Sequence, residues 1–315
     1  MKELKIFEYF FDDSVTEIMI NTDNSIFIKK AGVGSVNTNN FASPEKTLHI
    51  IQILASLEGL IINSSNPRIS TTLPMIDKDN PEKIKNYRFE GLVPPVVENP
   101  IFNIRKPTIK LLTLEDYIAQ GAFTRREADL LKGYIKDKKN MLVIGATDTG
   151  KTTLINALVR EMKNERLVFI EEVRELQVDK TITDNVSFLQ VIKGCFEPKD
   201  AIRSGLRMSP ERFIYGEVRG AEAYDFLMAF NTGHKGGICS IHSNDCYSGM
   251  EQLEIYTMLD KDKVNPKFIA RTVEVLVNMV SVNNKRILEA IAEVRGYENG
   301  HYILDFKYQR KHEEE

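Results

Sequence analysis

Nine consecutive residues carry the most specific chemistry in this 315-residue chain: Gly145, Ala146, Thr147, Asp148, Thr149, Gly150, Lys151, Thr152 and Thr153. The first eight have the G-x-x-x-x-G-K-[ST] spacing of a phosphate-binding loop. Glycines let the backbone turn its N–H groups inward, and a helix that starts at the loop's end adds partial positive charge where phosphates sit. Lys151 would reach the β- and γ-phosphates, and the Thr152 hydroxyl would sit on Mg²⁺. A glycine turn without a ligand is the bland alternative. The apolar run Met141–Ile144 before the loop and the helical stretch after it supply the context the motif requires, so the sequence predicts binding of a nucleoside triphosphate. Asp148 is out of character, because loops of this kind usually carry glycine there. Its carboxylate either faces solvent or weakens nucleotide binding by like-charge repulsion.

Transfer of a phosphoryl group to water also needs a carboxylate to orient or deprotonate the water, and positive charge on the γ-phosphate. Glu217 ends the apolar run Arg212-Phe-Ile-Tyr-Gly-Glu217, where it could hold Mg²⁺ or its water shell. Glu171, Glu172 and Glu175 cluster at the end of another apolar run, Arg166-Leu-Val-Phe-Ile-Glu171. An acid that ends a strand is usually a solvated boundary residue, but two such clusters downstream of a phosphate loop point to a catalytic pair. His234 and His242 flank the glycine-rich Gly233-His-Lys-Gly-Gly237 and are read as γ-phosphate sensors or coupling elements.

These residues need a scaffold. Apolar runs at Met141–Ile144, 166–171, 212–217 and 237–242, alternating with helical stretches, imply α/β architecture with a largely parallel sheet. Ligands of such sheets gather at the carboxyl ends of the strands, which is where Glu171, Glu217, His242 and the loop all fall. Upstream, 16–21 and 25–29 alternate as strands around Asn21-Thr-Asp-Asn24, and Pro44 to Leu60 carries a helical apolar stripe. A second strand pair is expected at 87–93 and 101–105, with the polar, proline-bearing 63–86 mostly loop. A helix should open at Thr113 and another at Thr124. The expected division is a smaller N-terminal α+β domain at 1–106, a linker at 107–120 and a nucleotide-binding domain at 121–315.

Composition bounds the rest. Hydrophobic residues at 42% and charged residues at 28% mark a globular protein, and a formal net charge of −3 leaves no footprint of strong direct nucleic-acid binding. No apolar run approaches the ~18 residues of a membrane span, and the start lacks a signal-peptide core, so a cytoplasmic protein is expected, attached peripherally to a membrane through partners. Cys195, Cys239 and Cys246 form no disulfide framework. Cys239, His242 and Cys246 lack the spacing and the fourth ligand of a zinc site, which favours buried thiols.

Three stretches in order resemble the motifs of one family. Ile170-Glu-Glu-Val-Arg-Glu-Leu176 resembles its acidic Asp box, Ser209-Pro-Glu-Arg-Phe-Ile-Tyr-Gly-Glu-Val-Arg-Gly220 its Walker B region, and Asn231 to Asn244 its His box. With the phosphate loop, these are similar to the secretion (traffic) ATPases that power type II and type IV secretion, conjugation and type IV pili. Tyr87 to Val97 and Phe102-Asn-Ile-Arg-Lys106 look like the type IV secretion and conjugal-transfer branch. The likeness spans about Asp13 to Leu304.

The resemblance implies a homo-hexameric ring with ATP held between an N-terminal domain and a RecA-like P-loop domain, serving inner-membrane components of a secretion or conjugation apparatus. Arg105 would then lean onto the γ-phosphate, and Arg203 and Arg207 would reach a neighbour's nucleotide. Glu171 and Glu217 match the acidic positions, without deciding which is the base and which holds metal-bound water. Glu172 stands where Asp is usual, and Ser209 where a second arginine is common, which could slow turnover. The alternatives are a type IV pilus extension or retraction ATPase, a DNA translocase, or a nucleotide-gated assembly protein that hardly hydrolyses ATP. The absence of a four-cysteine segment argues against the type II branch.

Overall fold

The computed structural model describes residues 4–76, 84–107, 111–179, 181–261, 264–283 and 285–311. The chain divides into two units, Met1–Ile109 and Lys110–Glu315. In the first, period-two alternation buries Ile18, Ile20, Ile26 and Ile28 on one face of a hairpin, β1 (Val15–Ile20) and β2 (Ser25–Lys30), and a register shift between Val15 and Glu17 accompanies burial of Val15 as well. Strand β3 (Gly34–Phe41), helix α1 (Pro44–Leu57), and strands β4 (Arg68–Ile76), β5 (Ile84–Leu92) and β6 (Ile101–Arg105) follow. They form an antiparallel sheet in the order β3-β2-β1-β6-β5-β4. Helix α1 joins the core of this sheet through Ile51, Leu54 and Ala55. Gly91 makes room for it, since a Cβ there would stand 3.2 Å from Ile51 Cγ1.

The expectation that 63–86 is mostly loop is corrected. Residues 68–76 form β4, which pairs with β5 from Arg68↔Leu92 to Ile76↔Ile84, while 77–83 lie outside the described residues. Pro74 does not prevent this because β4 is an edge strand, where a missing N–H need not break a ladder.

The second unit begins with α2 (Leu114–Ala119) and α3 (Arg125–Lys136). Helix α2 is capped reciprocally, with Thr113 N–H donating to Asp116 at 2.8 Å and Asp116 N–H to Thr113 Oγ1 at 3.1 Å. Within the stretch read as a linker, Leu114 and Tyr117 are buried in this unit's core, with Tyr117 stacked on Phe123, so the chain from Leu114 onward is part of the second unit. Then come β7 (Met141–Ile144), α4 (Lys151–Val159), β8 (Leu167–Glu171), β9 (Val186–Gln190), α5 (Pro198–Leu206) and β10 (Arg212–Val218). The unit ends with α6 (Ala223–Asn231), β11 (Ile238–Ile241), α7 (Cys246–Met258), α8 (Pro266–Thr272), β12 (Val275–Val282), β13 (Lys285–Glu298) and β14 (His301–Gln309).

Its sheet runs β14-β13-β12-β7-β11-β10-β8-β9. The six strands from β12 to β9 are parallel, and β13 and β14 extend them antiparallel. Strand β7 is buried on both faces, with Met141 and Val143 in one core and Leu142 and Ile144 in the other. That double burial is why it reads as an unbroken apolar run. The architecture is α/β, a RecA-like P-loop unit with a smaller α+β unit. Among the described residues, no helix is long and apolar enough to cross a membrane.

Candidate nucleotide site

Strand β7 lies between β12 and β11 and delivers the chain into the phosphate loop from the middle of the parallel sheet. A Cβ on Gly145 would collide with the carbonyl oxygen of Met279 on β12, so the first loop position tolerates no side chain. Gly150, which caps α4, has φ +92° in the left-handed region that glycine adopts without strain. Asp148 has φ +65°, also left-handed. This explains why glycine is usual there, and why Asp, among the side chains that best tolerate that conformation, can replace it.

Lys151 is buried at the start of α4 and its ammonium folds back onto the loop. It donates to the carbonyls of Gly145 at 2.8 Å and Ala146 at 3.0 Å, and lies 3.1 Å from His242 Nδ1. Thr149 Oγ1 donates to Ala146 O at 2.9 Å, which braces the turn from inside. Thr152 is half-buried and Thr153 buried in the first turn of α4.

The carboxyl ends of β10 and β11 bring two further groups to Lys151. The lysine ammonium faces Nδ1 of the His242 ring, and Nε2 on the other side of that ring stands against Glu217 Oε1. Burial and the Lys151 charge both hold the imidazole below its ordinary pKa. Glu217 Oε2 is gripped by Arg219 Nη2 at 2.5 Å, and Arg219 Nη1 reaches Glu172 Oε2 at 3.0 Å. A line of alternating charge therefore runs from Lys151 through His242 and Glu217 to Arg219 and Glu172. Glu171 sits apart from this line: only 8% exposed, it accepts Glu175 N–H at 3.0 Å and Leu176 N–H at 2.8 Å on Oε1. Burial outweighs those two bonds and pushes its carboxyl up to about 7.

Residues 1–296 match the family described as Type II/IV secretion system protein. The chain belongs to that family. A probable conjugal transfer protein TrbB from Sinorhizobium fredii is 32% identical over 298 residues, covering 93% of this chain and 87% of that protein. The crystal structure of the VirB11 ATPase from the Brucella suis type IV secretion system, in complex with sulphate, matches 93% of each chain with 26% identity and a TM-score of 0.50. The Legionella pneumophila ATPase DotB shares the fold with a TM-score of 0.65 over 90% of this chain, at 19% identity.

The other expected site residues lie on other elements. Arg105 is half-buried at the end of β6 in the first unit. Arg203 and Arg207 are exposed on and just after α5, before the amino end of β10, whereas Glu217 is near its carboxyl end. Ser209 has φ +53° in the turn between α5 and β10. His234 is corrected as a γ-phosphate sensor: it precedes β11, at the strand end opposite His242, and its Nδ1 lies 3.2 Å from Pro210 O. Cys239 and Cys246 are buried thiols, with the Cys246 thiol pushed up by burial to about 12.

Two residues join the site that motif reading passed over. Arg219 follows Glu217 by two positions, just past the end of β10 and within the stretch that resembles the Walker B region. Arg286, on β13, packs over the loop: a Cβ on Gly150 would stand 2.7 Å from Arg286 Cδ, and Arg286 Nη1 donates to Thr153 Oγ1 at 3.3 Å. It is 133 positions from Thr153, and no local pattern marks it.

Proposed function

We propose that this protein is an ATPase of a type IV secretion or conjugal-transfer apparatus, working as a homo-hexameric motor. The observation that carries the reading is the convergence of Lys151, His242 and Glu217 from three different elements on one phosphate loop. Family membership and the functions that its relatives are named for support it. Peripheral placement at the inner face of the membrane, through components of that apparatus, follows from the same reading.

In the proposed cycle the nucleotide's phosphates enter the cradle of Gly145 to Thr153. Lys151 exchanges its two loop carbonyls for phosphate oxygens, a stronger charge-assisted pairing. His242, released from Lys151, takes a proton on Nδ1 before it can donate to the terminal phosphate, since a bare ring nitrogen and a phosphate oxygen are both acceptors. Of the two acids, Glu171 has the proton affinity of a general base near neutral pH. Glu217, held by Arg219 and His242, orients the attacking water.

The residues fit Mg²⁺. Thr152 hydroxyl and Glu217 carboxylate are hard oxygen donors, and Mg²⁺ is ordinarily held by one or two such groups with the substrate's phosphates. When bound, the ion would neutralise phosphate charge. Arg105 would contact the γ-phosphate from the N-terminal unit, and Arg203 and Arg207 would act across subunits. Exposure of the latter two, before the far end of β10 from Glu217, supports a role outside their own site.

Nucleotide hydrolysis by purified protein, lost in Lys151→Ala with the melting temperature retained, tests the reading. Unchanged hydrolysis in that variant would remove the loop from the mechanism.

A further inference from the structure

The acidic segment after β8 forms no helix or strand between 172 and 179, so its backbone has no ladder to hold it. Side chains do that work from two sides. From the sheet, Glu171 Oε1 accepts the N–H groups of Glu175 and Leu176. From α4, Asn156 Oδ1 accepts Gln177 N–H at 2.9 Å, and Asn156 Nδ2 donates to Glu175 O at 3.4 Å. One turn further along α4, Arg160 Nη2 meets Asp179 Oδ2 at 3.0 Å. Leu176, fully buried, is the apolar anchor between these two grips.

Asn156 is 3% exposed. Burying an amide among apolar neighbours is costly unless its polar atoms are paired, and here they are spent on the backbone of this one segment. Asn156 and Lys151 also share a single nine-residue helix. Displacing Lys151 and its loop therefore displaces the clamp on 175–177, and with it the segment that presents Glu172 to Arg219 and, through Arg219, to Glu217.

We propose that Asn156 and Arg160 are positioning residues, which tie the acidic segment 171–179 to the phosphate-loop helix so that the acids are set by the position of that helix. The inference rests on the ATPase reading above. Asn156→Ala removes one grip. Arg160→Asp removes the other at a partly exposed pair, and Arg160→Asp with Asp179→Arg restores that pair with the charges exchanged, at the cost of the Asp179 Oδ1 bonds to Thr181.

The measurements are kcat and KM for ATP, affinity for a fluorescent ADP in EDTA, melting temperature, and hydrogen exchange of the peptide spanning 172–179. Each single variant is expected to lower kcat roughly tenfold with KM within about twofold, the pattern for loss of a group that orients others. Affinity for ADP in EDTA should hold, exchange over 172–179 should quicken, and the double variant should recover most of the lost kcat. The proposal is overturned if kcat holds while exchange quickens, if kcat and ADP affinity fall together, or if the double variant is no better than the singles. A wild-type protein that binds ADP but never hydrolyses ATP would instead overturn the ATPase reading, and quickened exchange in the variants would still register the clamp.

Discussion

At the scale of single residues, the site is a set of charges that hold one another. Lys151 is satisfied by its own loop and by His242, His242 passes its other nitrogen to Glu217, and Glu217 is neutralised by Arg219. In the proposed cycle Lys151 exchanges its loop carbonyls and His242 for phosphate oxygens, while Glu217 keeps Arg219. Glu171 makes a separate prediction. Its ordinary pKa of 4.5 is raised to about 7 in the fold, so the unfolded chain ionises first as pH rises. Stability is therefore lost between pH 4.5 and 7 and stays lost above, by about 3 kcal/mol at most. Glu171→Gln keeps an oxygen for the two N–H donors and removes the buried charge. It should unfold at higher denaturant than wild type at pH 8, with the difference vanishing near pH 4.5, while hydrolysis falls. Equal denaturant midpoints at pH 8 would contradict the burial argument.

At the scale of elements, most of the site was legible because it is local. The loop's spacing, the apolar runs before it and the acids and histidine at strand ends are all short-range patterns, and parallel-sheet topology brings them to one edge. What was not legible depended on distant partners. Pro74 reads as a strand breaker until β4 is known to be an edge, and His234 reads as a γ-phosphate sensor or coupling element like His242 until β11 is seen to separate the two. Arg286 reaches the loop only through the antiparallel extension of the sheet, a feature with no signature in the loop itself. Arg212 is another such residue: 1% exposed, it pairs with Glu165 at 2.7 Å and donates to Ile135 O at 2.7 Å and Gly236 O at 3.4 Å. It thus ties the end of α3, the chain entering β8 and the turn before β11 at one point. Arg212→Ala leaves Glu165 and two carbonyls without that partner, and should cost roughly 3 kcal/mol in chemical denaturation. A loss under about 1 kcal/mol would show that the neighbours close over the gap.

At the scale of the whole molecule, the two units carry different parts of the proposed machine. The second holds the loop, the acids and His242, and the first holds Arg105. A ring would supply what one chain does not bring to its own loop, namely the exposed Arg203 and Arg207 of a neighbour. The central claim is that hydrolysis belongs to the assembled ring. Steady-state ATPase activity measured against protein concentration, with particle mass followed by light scattering, tests it most directly when wild type is run beside Glu217→Gln and Arg207→Ala. Specific activity should rise as the ring forms and collapse in both variants, with Arg207→Ala still assembling. Specific activity independent of assembly, or full activity in Arg207→Ala, would contradict it.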